Sequence, residues 1–163
     1  MIDMIVAMDK NNLIGTDATE NHIPWHNKED FQHFKSTTIN KTILMGKNTY
    51  EAIGRPLPKR HTIVLSFDML YDLPENVSCS TDLEGTINAF RERGEDLYIC
   101  GGASVYKCAL PLCDRLLLSR IPGEYEGNAW FPNFLEYGYE LESTEDKGTF
   151  TLQSELFCRA WRI

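Results

Sequence analysis

The sequence has no excess of positive charge, no long hydrophobic run and no paired cysteine motif. Lys and Arg number 16 against 24 Asp and Glu, a net charge of −8. Nonspecific nucleic-acid binding needs a basic footprint, so DNA and RNA are excluded as partners, whereas a small anionic ligand held by a few local cations is not. No apolar run approaches the ~20 residues of a membrane span. The N-terminal stretch from Met1 to Asn12 lacks a basic segment, and its apolar run is too short for a signal peptide. Five cysteines (Cys79, Cys100, Cys108, Cys113 and Cys158) form no CxxC pair, which points to reduced thiols in the cytoplasm. His22, His26, His33 and His61 are scattered without zinc-ligand spacing, so no metal is expected. Repeats, low-complexity tracts and Pro/Gly/Ser linkers are missing too. The 163 residues read as a single domain, 1–163, long enough to bury roughly 70% of its unfolded surface without staples.

Short apolar runs alternate with helical patterns along the chain. Met1–Met8 reads as a buried strand, followed by a turn at Asp9–Asn12, Leu13-Ile14-Gly15 and a polar loop from Thr16 to His22. Asn27 is a candidate N-cap with Asp30 three residues on, and Phe31, Phe34 and Thr38 share one face of the helix that follows. Thr42–Met45 is a strand, Lys47–Ile53 a short helix, and Gly54-Arg55-Pro56-Leu57-Pro58 breaks it. Further strands are expected at His61–Ser66, Asp96–Cys100 and Arg115–Ser119. Helices are expected from a Thr81-x-x-Glu84 capping box to Arg93 and from Ala103 to Leu110. Tyr139–Glu145 and Thr149–Ile163, joined at Lys147-Gly148, read as an antiparallel hairpin. The pattern predicts an α/β fold: a mainly parallel central sheet flanked by helices, with a C-terminal antiparallel edge.

Three strand-to-helix junctions could carry chemistry. At Met45-Gly46-Lys47 a helix N-terminus beside a lysine suits a phosphate, though a plain turn explains the pair equally well. A P-loop is excluded, because it needs glycine where Lys41 stands and Ser or Thr where Asn48 stands. Gly101-Gly102 lacks the Rossmann spacing, yet paired glycines admit a ligand close to the backbone or simply make a tight turn. Asp30 in the first turn of its helix complements the dipole. Its apolar company of Ile23, Trp25, Phe31 and Phe34 also makes it a candidate functional acid.

Taken in order, Pro24-Trp25, Asp30, Thr38, Met45-Gly46-Lys47, the run from Thr49 to Arg60, Gly101–Tyr106 and Glu126–Pro132 resemble dihydrofolate reductase of the bacterial chromosomal type. The resemblance covers essentially the whole chain. It implies NADPH-dependent reduction of 7,8-dihydrofolate to tetrahydrofolate by a monomer, with antifolates as inhibitors. By that resemblance Asp30 pairs with the pterin and Ser119 supplies a hydroxyl to the acid. Trp25 lies beside the proton path. Ile5, Ala7, Phe31, Phe34, Ile53 and Leu57 wall the substrate pocket, and Arg60 clamps the folate carboxylate. Gly46, Lys47, Thr49, Leu65, Ser66, Gly101, Gly102, Ala103, Ser104 and Val105 hold the cofactor, with Ala7 and Ile14 on its nicotinamide side. A cis peptide joins the two glycines, and residues 41–94 form an adenosine-binding lobe.

The chain departs from the family pattern in places. The Gly15–Trp25 loop is three residues longer than in short bacterial versions. Lys47 stands for the usual Arg, Phe67 for a second Ser and Tyr50 for a common Trp. Asn128 replaces an aspartate that anchors the loop, which predicts a weaker, neutral anchor that Asn128→Asp would strengthen. Two other readings are a pyrimidine-type reductase of riboflavin synthesis and a non-catalytic nucleotide- or folate-binding module. Pro24-Trp25 before Asp30, together with Arg60, favours folate.

Overall fold

In the computed structural model, residues 1–17 and 22–158 are described. Ten strands and four α-helices follow one another along them. These are β1 (Ile2–Met8), β2 (Leu13–Gly15), α1 (Lys28–Thr38), β3 (Thr42–Gly46), α2 (Lys47–Ile53), β4 (His61–Leu65) and β5 (Val77–Ser80). The second half runs α3 (Leu83–Arg93), β6 (Leu97–Ile99), α4 (Ala103–Ala109), β7 (Arg115–Arg120), β8 (Ala129–Trp130), β9 (Tyr139–Asp146) and β10 (Thr151–Phe157). Eight strands make one sheet in the order β5-β4-β3-β6-β1-β7-β10-β9, and β2 pairs separately with β8. Pairings from β5 to β7 are parallel, while β7-β10 and β10-β9 are antiparallel.

Local chemistry accounts for the boundaries. Asn27 caps α1: its side chain accepts from the Asp30 backbone N–H at 3.0 Å, satisfying a donor that the helix leaves unpaired. The cap of α3 is Asp82, which accepts from the Gly85 N–H, and not Thr81 as the spacing suggested. A carboxylate one residue nearer the helix takes the same role. β5 and β8 were not foreseen, being short and without clean alternation. The hairpin is as expected through Phe157, and the remainder of its second arm, 159–163, lies outside the described residues, as do 18–21 of the loop.

β1 shows how the sheet sorts its side chains. Ile2, Met4, Val6 and Met8 enter the larger core with Leu44, Ile63, Ile87, Leu97 and Leu116. Alternate residues face the other side, where α1 lies. There Ile5 packs with Ile43, Met45, Tyr98 and Leu117, and Ala7 lies against Trp25, Ile121 and Phe150. Register sets Ile5 beside Leu117 and Ala7 beside Ser119, so the α1 side of the sheet runs from an apolar middle to a hydroxyl.

Candidate active site

α1 brings an acid and a cation to the two ends of that apolar strip. Asp30 sits in its first turn, buried, with its backbone N–H held by Asn27. Burial raises its carboxyl above the ordinary carboxylate value, against a hydrogen bond from the Ser119 hydroxyl and the attraction of His33. Thr38 closes the same helix, eight residues and therefore about 12 Å further along its axis. The Thr38 hydroxyl accepts from Arg60 Nη1 at 3.2 Å, and Arg60 Nε donates to the Pro58 carbonyl at 3.0 Å. Arg60 is 8% exposed, yet no carboxylate among the described residues forms an ion pair with it. It lies 5.9 Å from the centroid of Phe34, which stands between the two ends. Phe34, Ile53 and Leu57 all pack on the cluster around Ile5.

The two glycine junctions meet at the ends of β3 and β6. The Gly46 N–H donates to the Gly101 carbonyl at 2.8 Å, and the Gly101-Gly102 peptide is cis, as the resemblance implied. A Cβ on Gly101 would stand 2.9 Å from the Tyr106 ring, and one on Gly102 3.1 Å from Thr49 Oγ1. Glycine at 101, with its positive φ and the Tyr106 ring against it, lets the start of α4 lie close to β3 and Thr49. Lys47 is exposed, 3.9 Å from Glu51. Leu65, opposite Gly46 in the register, leads into Ser66 at the neighbouring strand end. Ala103 and Thr49 are half-buried and Ser104 is exposed. Such a pair of junctions, free of Cβ atoms and carrying one cation, fits an extended anionic dinucleotide.

Trp25 is buried beside Ile121 and Phe150, and its ring meets Tyr125 edge-on at 5.5 Å. Phe31 is 38% exposed, because positions 30, 34 and 38, and not 31, form the inward row of α1. Ile14 and Val105 pack on the larger core, and a Cβ on Gly46 would stand 3.1 Å from the Val105 side chain, so Val105 borders the glycine junctions.

The anchor at position 128 has the reverse polarity to that expected. The Asn128 side-chain amide donates to the carboxylate of Asp17, so the charge sits on the loop. The Asn128 backbone N–H also donates to the Gly15 carbonyl at 3.1 Å.

Sequence reasoning missed several residues. Tyr106 donates its hydroxyl to the Ile5 carbonyl at 2.8 Å, which ties α4 to β1 beneath the strip. Asp9, fully buried, accepts from the N–H groups of Asn11, Leu13 and Tyr125 and so joins the β1–β2 turn to the segment carrying Tyr125. The turn at Asp9–Asn12 was legible as such, but its tie to Tyr125 joins segments far apart in the chain. Nothing in the spacing pointed to Tyr106.

Comparison with known proteins gives a consistent picture. A family profile described as dihydrofolate reductase matches residues 1–155. Dihydrofolate reductase type 3 of Salmonella typhimurium is 38% identical over 158 residues, 94% of each chain. The dihydrofolate reductase of Bacillus subtilis is 39% identical over 147 residues, 89% of this chain and 83% of its own length. Among solved structures, dihydrofolate reductase from Enterococcus faecalis, complexed with NADP(H) and RAB-propyl, matches with a TM-score of 0.81 at 31% identity. It covers 96% of this chain and 95% of its own.

Proposed function

This chain belongs to the dihydrofolate reductase family, and we propose that the strip from Asp30 to Arg60 is where it holds its substrate. The reaction is the NADPH-dependent reduction of 7,8-dihydrofolate to tetrahydrofolate, which sustains one-carbon and thymidylate metabolism. One observation carries the site assignment. A buried carboxylate and a buried arginine, without a carboxylate partner among the described residues, face one apolar strip from opposite ends, about two turns of helix apart. Dihydrofolate has the complementary order: a hydrogen-bond-donating pterin edge, a flat aromatic middle and a carboxylate tail.

Asp30 accepts two parallel N–H bonds from the pterin edge, with Ser119 completing its hydrogen bonding. Ile5, Ala7, Phe34, Ile53 and Leu57 wall the rings, with Phe31 at the open side. Arg60 receives the α-carboxylate in the fork geometry that a guanidinium offers. When bound, NADPH supplies the hydride that reaches C6 of the pterin. Gly46, Lys47, Thr49, Leu65, Ser66 and Gly101–Val105 hold the cofactor, with residues 41–94 as its adenosine-side lobe and Ala7 and Ile14 towards the nicotinamide. The protein orients the two reactants and excludes water between them. Asp30 binds and polarises the pterin from its far edge, and the proton gained at N5 enters from solvent past Ile23 and Trp25.

A monomer suffices, since one chain contributes every residue invoked. Free thiols at all five cysteines suit the cytoplasm, and no described helix is long and apolar enough to cross a membrane. The test is loss of NADPH absorbance on addition of dihydrofolate, blocked by a diaminopyrimidine antifolate. Turnover of a ribosylated aminopyrimidine ketone in place of dihydrofolate would overturn the reading in favour of the riboflavin-type reductase.

A further inference from the structure

We propose that His33 is a positioning residue for Asp30: a second titratable group behind the acid, whose protonation keeps Asp30 ionised beneath the pterin. This rests on the reading of Asp30 as the substrate-binding acid. His33 follows Asp30 by three residues on α1, a spacing that makes the two side chains neighbours on the helix surface. Its ring lies between α1 and the turn of the β9–β10 hairpin, 5.8 Å from the Phe150 ring, on the wall of a cavity that Glu29, Gln32, Ser36 and Lys147 also line. Phe150 belongs to the cluster that seats Trp25, so His33 backs the wall on which Asp30 and Trp25 stand. Its Nε2 is buried and has no hydrogen-bond partner among the described residues. A neutral imidazole can leave one nitrogen as a bare acceptor, whereas the charged ring carries N–H on both. The site therefore receives His33 neutral and charges it only when the gain from a nearby anion outweighs that orphaned donor.

The charged groups around the pair single out Asp30 as that anion. On the hairpin, Lys147 and Glu145 are bound to each other at 2.9 Å and act on His33 in opposite senses. On α1, Glu29 accepts from the Thr149 hydroxyl at 3.2 Å. Around Asp30 stand the neutral hydroxyl of Ser119 from β7 and that of Tyr106 from α4, which burial keeps protonated. Burial lowers His33 and raises Asp30, drawing the two titrations together, while their mutual attraction opposes both shifts. The attraction between them links the two titrations. A proton on His33 stabilises the Asp30 anion, and removing the imidazole lets Asp30 take up its proton at higher pH.

The test reads Asp30 directly, by the carbon-13 resonance of its carboxyl in labelled enzyme, assigned by its disappearance in Asp30→Asn. In His33→Gln and in His33→Phe, one polar and one apolar, the break in that resonance should move to higher pH by the same amount. In Asp30→Asn, the His33 ring should titrate at lower pH than in the wild type, because linkage is reciprocal. An Asp30 break that stays in place in both His33 variants, or a His33 titration indifferent to Asp30→Asn, overturns the proposal. A merely structural histidine would lower the melting temperature and leave both titrations where they are. Failure of the underlying site assignment looks different: Asp30→Asn would retain dihydrofolate affinity whatever the titrations show.

Discussion

Replacing Arg60 with leucine removes the cation from the pocket and keeps most of the apolar bulk. A guanidinium has five N–H donors. In this chain one is committed to the Pro58 carbonyl and one to the Thr38 hydroxyl, which leaves Nη2 and an Nη1 hydrogen for a carboxylate. A charged hydrogen bond contributes about 1.5–3 kcal/mol net, so the KM for dihydrofolate should rise roughly ten- to a hundredfold. The fold should tolerate the change. The Thr38 hydroxyl still donates to the Phe34 carbonyl at 2.8 Å, and Pro58 is exposed, so its carbonyl can turn to water. Burial without a carboxylate partner lowers the proton affinity of Arg60 and works against the free enzyme. The melting temperature of the unliganded variant should accordingly match or exceed that of the wild type. Because the clamp grips the tail, remote from the reacting ring, kcat should change little and a pterin without the glutamate should be unaffected. The assay compares steady-state KM for both substrates with unliganded melting. An equal loss for the truncated pterin, or a drop in melting that tracks the loss of affinity, would refute the clamp and make Arg60 a structural cation.

Asp30→Asn should lower turnover by ~10²–10⁴, measured by single-turnover kinetics. It should also stabilise the unliganded fold at neutral pH. The folded-state value of Asp30 is raised by burial, so the folded protein binds this proton more tightly than the unfolded chain. Stability from this group therefore falls as pH rises from the unfolded value to the folded one, and the deficit persists above it. Melting curves across pH should show the Asn variant gaining most above that window. Lys47→Ala should weaken NADPH about ten- to a hundredfold, and NADH far less, in equilibrium titrations. Equal weakening would move Lys47 to the pyrophosphate. Asn128→Asp should set two carboxylates against each other at Asp17 and slow hydride transfer, and adding Asp17→Asn should restore it by swapping the pair. Identical rates in all three proteins would detach position 128 from the loop.

Helix starts were legible where a cap sits at fixed spacing, as at Asn27, and blurred where two candidates adjoin, as at Thr81 and Asp82. The strand runs of β1, β3, β4 and β7 were legible because both faces are buried and the runs are continuously apolar. Their spatial order was not. The placement of β6 between β3 and β1 depends on hydrogen bonds between residues far apart in the chain, which no local pattern encodes. The same limit applies to the site. Asp30, Gly46 and the paired glycines sit in recognisable local signatures. The bond from Arg60 to Thr38, the seat of His33 against Phe150 and the Asp17–Asn128 tie join separate segments and emerge only on folding. Phe31 is more exposed than its shared helical face with Phe34 and Thr38 suggested, because three-residue and four-residue steps both satisfy a helical period and only packing decides which row faces inward.

The central claim is that this chain aligns NADPH with the pterin and passes hydride directly between them. The decisive measurement uses NADPH deuterated at C4 of the nicotinamide and follows the label into the product by proton NMR. Direct transfer predicts deuterium at C6 of tetrahydrofolate on one face only, and none in the solvent. Deuterium lost to water, spread over both faces of C6, or left unconsumed in the presence of dihydrofolate would contradict it.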